Sequence, residues 1–106
     1  MSDEPGCNNL EEVRAEIDRI ARKIVGLLAA RGGYVKQAAR FKTSTDDVKA
    51  PQRVEQVIAK VKSLAMELGA DPSVTEQVYR VMIRGFIEAE LQEHATLQGR
   101  DTVSHK

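Results

Sequence analysis

From Leu10 to Lys42 the chain carries an unbroken seam: Leu10, Arg14, Ile17, Ala21, Ile24, Leu28, Arg31, Val35, Ala38, Lys42. Its steps alternate four and three without a slip, which is a heptad repeat and keeps every member on one face of an α-helix. A second row, Val13, Ile20, Leu27, Tyr34 and Phe41, flanks the first, so the stripe to be covered is broad. Such a helix covers about 32 residues and is near 48 Å long at 1.5 Å per residue. A compact chain of 106 residues has a radius of gyration of only about 13 Å. One chain cannot cover the whole stripe, and a second copy can. Length and pattern together predict a homodimer.

Asn8 or Asn9 is placed to cap this helix, with Glu11 and Glu12 favourably set against the dipole of its first turn. Its weak point is Gly32-Gly33, since each interior glycine costs about 1 kcal/mol relative to alanine. Read locally, the pair ends one helix and starts another at Tyr34. The seam stays in phase across it, which favours one helix with a bend at most. Residues 43–49 are polar and lack apolar periodicity, so they read as a mobile loop.

Pro51 suits the first turn of a second helix that buries Val54, Val57, Ile58, Val61, Leu64, Ala65 and Leu68, with Gly69 at its C′ position. Asp71-Pro72 restarts the chain as N-cap and N1 of a third helix, which presents Val74, Val78, Met82, Ile83, Phe86, Ile87 and Leu91. With no Trp and only two Tyr and two Phe, little suggests strands. The expected fold is all-α: three helices per chain, the first very long. Residues 1–8 read as a disordered N-terminal segment, 9–94 as one helical domain, and 95–106, where the pattern is lost after His94, as a flexible tail.

Sixteen basic residues balance sixteen acidic ones, so the clustered excess of cations on which nucleic-acid binding rests is absent. Any anion site must come from local placement of charge. No stretch approaches the roughly 18 consecutive apolar residues of a membrane span, and the first residues lack the basic start and apolar run of a signal peptide. A cytoplasmic protein is expected. Cys7 is the single cysteine, which leaves no disulfide framework or cysteine-rich zinc site within one chain. His94 and His105 fall at the end of the third helix and in the tail. With no metal-binding, phosphate-binding or nucleophile motif present, neither metal nor cofactor is expected.

Three cations, Arg14, Arg31 and Lys42, occupy seam positions where apolar residues belong. An inward charge must be paired or hydrogen-bonded. Taken singly, each reads first as a structural ion pair or a side chain snorkelling to water; three on one seam point towards a bound anion. Arg14 and Arg31 lie about 25 Å apart on a straight helix, too far to share a small ligand within one chain, and crossing chains remove that obstacle. Arg53 opens the second helix, whose free N–H groups also attract anions. Glu90 falls on the inner face of the third helix, where a carboxyl either pairs with a seam arginine or stays protonated. These groups suit anion binding and electrostatic stabilisation, and offer no nucleophile.

The run Leu10-Glu-Glu-Val-Arg14-Ala-Glu-Ile-Asp-Arg-Ile, followed by Arg31 and Lys42, resembles the all-helical chorismate mutase family. Tyr34-Val-Lys-Gln-Ala-Ala-Arg-Phe-Lys42 and Ala50-Pro-Gln-Arg53-Val are similar to its salicylate-pathway branch, the isochorismate pyruvate lyases. The resemblance covers residues 10 to about 94. It implies an intertwined homodimer with shared sites, in which Arg14 of one chain joins Arg31, Lys42, Arg53 and Glu90 of the other. The arginines would bind the two carboxylates of chorismate or isochorismate, Lys42 would reach the enolpyruvyl ether oxygen, and Glu90 would act beside it. The sequence departs from many bacterial mutases in Val54, where they carry glutamate, and in Glu90, where many members carry glutamine. The expected activity is the rearrangement of chorismate to prephenate. The alternatives are isochorismate pyruvate lyase, favoured by Val54 and the Lys42 region, and a non-catalytic dimerisation module.

Overall fold

The computed structural model describes residues 6–104, with side chains for 6–93 and 95. Helix α1 spans Leu10–Ala39, α2 Thr45–Lys49, α3 Pro51–Leu68 and α4 Pro72–Ser104. Among the described residues there are three long helices, one short turn of helix and no strand. The chain divides into two units, residues 1–34 and 35–106. The first holds most of α1; the second holds the end of α1 together with α2, α3 and α4.

Asn9 is the residue that caps α1. Its Oδ1 accepts from the Glu12 backbone N–H at 2.9 Å, and Glu12 Oε2 in turn accepts from the Asn8 N–H at 2.8 Å. Two amide donors that the helix start leaves without intrahelical partners are thereby satisfied. The helix runs unbroken through Gly32-Gly33. Of its residues none is buried within this chain, and Leu10, Ile17, Ile24 and Leu27 are each more than half exposed.

The first helix ends earlier than the seam. After Ala39 the bonds tighten to three-residue spacing: Arg40 N–H to Gln37 O, Phe41 N–H to Ala38 O, and Lys42 N–H to Ala39 O, at 3.0–3.2 Å. Lys42 therefore lies past the helix, where the heptad pattern had put it within. The cause is local. Asp47 Oδ2 accepts from both the backbone N–H and the hydroxyl of Thr43, at 3.1 and 3.0 Å, and a side chain that takes a backbone donor competes directly with helix continuation.

The same contacts correct the loop expected over residues 43–49. Ser44, in extended conformation, caps α2 by accepting from the Asp47 N–H at 3.1 Å, and Val48 is 4% exposed. One apolar side chain in an otherwise polar run gives no periodicity to read, yet its burial fixes the segment. Ala50 closes α2 and opens α3 in the left-handed region (φ 34°), its N–H bonded to Asp46 O at 2.8 Å.

At the far end of α3, Gly69 adopts φ 80°, and the Ala70 N–H reaches Ala65 O at 2.8 Å, satisfying helix-end carbonyls at the position where glycine escapes the Cβ clash. Asp71 Oδ1 then accepts from the Ser73 and Val74 N–H groups at 2.8 and 3.2 Å, so Asp71-Pro72 is the expected N-cap and N1 pair. Helices α3 and α4 pack on each other, and α2 packs on α4. Ile58, Val61 and Ala65 of α3, Ile83 of α4 and Val48 of α2 form the buried core. Leu64, Leu68, Val74 and Val78, expected inside, are 43–73% exposed. A helical pair covers one stripe of each member, and these four lie on the next stripe round. Helix α4 continues to Ser104, past the expected end at His94. Residues 95–104 contain no proline, and propagation adds one backbone bond per residue once a helix is nucleated. Residues 1–5, part of the segment expected to be disordered, and His105 lie outside the described residues.

Candidate active site

Glu90 is the buried charged residue among those described, 8% exposed. It comes from the inner face of α4, in line with Ile83 and one turn past Phe86 and Ile87. Its partner is Lys42, whose Nζ lies 3.3 Å from Oε1 and 3.1 Å from Oε2. The pairing corrects the expectation of a seam arginine. Because α1 stops at Ala39, Lys42 leaves the helical seam and its side chain, 26% exposed, turns to the carboxylate. An ammonium has three N–H donors, and this one faces both oxygens of Glu90. No buried side-chain polar atom among the described residues lacks a partner, so the burial of Glu90 is compensated as a buried charge must be.

Arg53 sits in the first turn of α3 and is exposed. Val54, directly after it, lines a cavity of about 400 Å³ with Lys49, Arg80, Ile83, Arg84, Ile87 and Glu88. Arg14 and Arg31 both lie on α1 in the first unit, Arg14 exposed and Arg31 half-buried. Of the five residues singled out from sequence, Lys42 and Glu90 are in direct contact, and Arg53 belongs to the same unit.

Sequence reasoning missed a second charged group beside the first turn of α3. Arg80 donates from Nη1 and Nη2 to the two oxygens of Glu55 at 2.9 and 3.0 Å, and from Nε to Glu76 Oε2 at 2.8 Å. Glu76 Oε1 also meets Lys62 Nζ at 3.1 Å. The hydrogen bonds from Arg80 hold the carboxyls of Glu55 and Glu76 below the ordinary glutamate value, Lys62 assisting at Glu76. Bonds to both glutamates raise Arg80 in turn. The spacing of Glu76 and Arg80, four residues apart on one helix, is the signal that was readable; the link to Glu55 is tertiary. Asp47 is likewise held below the ordinary aspartate value, first by the Thr43 backbone N–H and then by the Thr43 hydroxyl. Ser44 three residues ahead of Asp47 was the readable sign of that cap. No cluster of histidine, cysteine or carboxylate side chains suited to a metal ion occurs among the described residues, and no helix there is long and apolar enough to cross a membrane.

Residues 13–91 match the family described as chorismate mutase type II. The chain belongs to that family. Among its relatives, an isochorismate pyruvate lyase from Pseudomonas aeruginosa is 35% identical over 86 residues, covering 81% of this chain and 85% of the lyase. A chorismate mutase from Methanocaldococcus jannaschii is 27% identical over 75 residues, covering 70% of this chain and 76% of the mutase. The match runs from residue 13 to residue 91, so all five candidate residues fall within it.

Proposed function

We propose that the protein is a chorismate mutase, and that Lys42 and Glu90 form the reacting end of its site. The observation that carries this reading is the Lys42 ammonium, held at 3.1 and 3.3 Å by both oxygens of a buried glutamate, inside a chain of the type II family. In the rearrangement of chorismate to prephenate, the ether C–O bond breaks while a C–C bond forms between the enolpyruvyl methylene and the ring. Electrons move around one six-membered array and no proton is transferred. Negative charge gathers on the ether oxygen, and a lysine N–H aimed at it lowers the barrier. Glu90 fixes the rotamer from which Lys42 donates. Arg31 and Arg53, with Arg14 of a second copy, would hold the substrate's two carboxylates, where forked guanidinium geometry supplies orientation as well as charge. Holding the substrate in its compact reactive shape supplies the rest of the rate. The homodimer is part of this reading, supported by the exposed apolar stripe of α1.

Isochorismate pyruvate lyase is the second reading. The 35% identity to the Pseudomonas aeruginosa lyase favours it, as do Val54 and the sequence leading into Lys42. The same cations would then assist cleavage of the ring–oxygen bond while a ring hydrogen passes to the enolpyruvyl methylene, which releases pyruvate and leaves the ring aromatic as salicylate. Incubating the protein with chorismate and, separately, with isochorismate distinguishes the two, followed by loss of each substrate and by the appearance of prephenate or salicylate. Lys42→Met should lower kcat by about 10²–10³, the usual cost of one donor to a developing oxyanion. Wild-type protein that consumes neither substrate overturns both readings in favour of a dimerisation module.

A further inference from the structure

We propose that Arg80 is a positioning residue that braces the first turn of α3, and with it Arg53, against α4. The inference rests on the site reading given above. The start of α3 has little local support. Its N-cap, Ala50, lies in the left-handed region and makes no side-chain cap bond, and the first turn carries no acidic residue. Helix starts of this kind are held from outside or fray. Two residues beyond Arg53, Glu55 receives both terminal nitrogens of Arg80 at 2.9 and 3.0 Å.

The third donor of Arg80, Nε, is bonded to Glu76 at 2.8 Å, and Glu76 is itself tied to Lys62 of α3 at 3.1 Å. The guanidinium is engaged along two edges, so its plane is fixed and it cannot follow a swinging helix end. An isolated exposed ion pair does little. This one is bidentate, belongs to a four-residue network, and its arginine lines the same cavity as Val54, Ile83 and Ile87. From Arg80 the rod of α4 runs about 15 Å to Glu90, which holds Lys42. The brace therefore sets the distance between Arg53, the carboxylate-binding end of the site within this unit, and the Lys42–Glu90 pair at its reacting end. The lowered carboxyls of Glu55 and Glu76 agree with a permanently charged clamp.

The test uses full-length Arg80→Met, Glu55→Gln and Arg80→Lys, with Lys60→Met as control because Lys60 is an exposed lysine of α3 outside the Glu55–Arg80–Glu76–Lys62 network. Two readouts are taken: amide hydrogen exchange over residues 54–58, and steady-state kinetics with whichever substrate the wild type consumes. Loss of the brace should speed exchange in that turn by about tenfold or more through local opening. It should raise KM about tenfold while kcat stays within about threefold, because Arg53 loses its position relative to the substrate. Arg80→Lys, which reaches one carboxylate at a time, should fall between, and Lys60→Met should match wild type. A purely structural role lowers the fraction of active protein, cutting kcat with KM unchanged, and that result overturns the proposal. Unchanged exchange in both Arg80→Met and Glu55→Gln overturns it too. Should Arg80→Met fail to fold, Glu55→Gln gives the same readouts with the Arg80–Glu76 bond intact. Wild type without activity on either substrate defeats the functional reading, and hydrogen exchange still decides the brace.

Discussion

Replacing Ile24 by Asp tests whether the stripe of α1 is an interface between two copies of the chain. Ile24 is 53% exposed, and Leu10, Val13, Ile17, Ile20 and Leu27 range from 39% to 69%. Full burial of one such side chain is worth about 1.5–3 kcal/mol, so covering the exposed half of these six contributes about 5–10 kcal/mol per chain and roughly 10–20 per pair. Association costs about 4–15 kcal/mol in lost freedom, and the balance favours a dimer. An aspartate at position 24 forfeits about 1 kcal/mol of apolar burial per chain. It also strands a carboxylate under the partner, at several kcal/mol per ion. Two-fold symmetry repeats the penalty. A loss of about 4 kcal/mol or more raises Kd by about 10³-fold. Sedimentation at micromolar concentration should show wild type at twice the chain mass of 11.7 kDa and Ile24→Asp shifted to lighter species. Ala29→Asp, exposed and off the stripe, should behave as wild type. A folded wild-type species at the mass of one chain, or Ile24→Asp sedimenting unchanged, would refute the reasoning.

Three further outcomes are expected. Arg14→Ala and Arg31→Ala chains, each inactive alone, should regain part of the activity when unfolded together and refolded, since a mixed dimer keeps one intact site; no recovery contradicts sites shared between chains. Ile58→Ala should cost about 2–5 kcal/mol in urea unfolding, because Ile58 is 3% exposed in a small core; a cost under about 1 kcal/mol would mean that the α3–α4 core contributes little. Asp47, Glu55 and Glu76 have lowered pKa values in the folded chain, so the unfolded chain takes up their protons first as pH falls. Their contribution is complete above the ordinary values of 3.8 and 4.5 and is lost below them, through the depressed folded values. Replacing all three with their amides should flatten the decline in unfolding midpoint below pH 4.5; a decline of wild-type steepness contradicts these assignments.

The sequence by itself determined whatever depends on periodicity and on the chemistry of chain ends. The seam from Leu10 specified a long helix, because one face of a helix is a property of spacing alone. Its phase across Gly32-Gly33 carried more weight than the local cost of two glycines, and the helix is continuous there. Asp71-Pro72 and Gly69 marked their helix ends because N-caps and left-handed residues are set within a few residues. Arg53 and Glu90 stood out as charges on apolar faces, and the inward place of Glu90 was readable in the same way.

Tertiary structure decided the rest. The seam put Lys42 on the helix, but the Thr43 donors go to Asp47, and an equilibrium between two local bonding patterns cannot be read from heptad phase. The partner of Glu90 depended on that ending: a lysine released from the helix reaches a carboxylate 48 positions away in the chain. Val48 gave no periodic signal, and only burial against α4 turns its polar surroundings into an ordered helix. The Arg80–Glu55 clamp spans 25 positions and joins two exposed faces on which charges are ordinary, so nothing in either local pattern singles it out. Spacing fixes which residues share a face, whereas the choice among nearby partners is made by packing, where differences of one hydrogen bond are enough to decide.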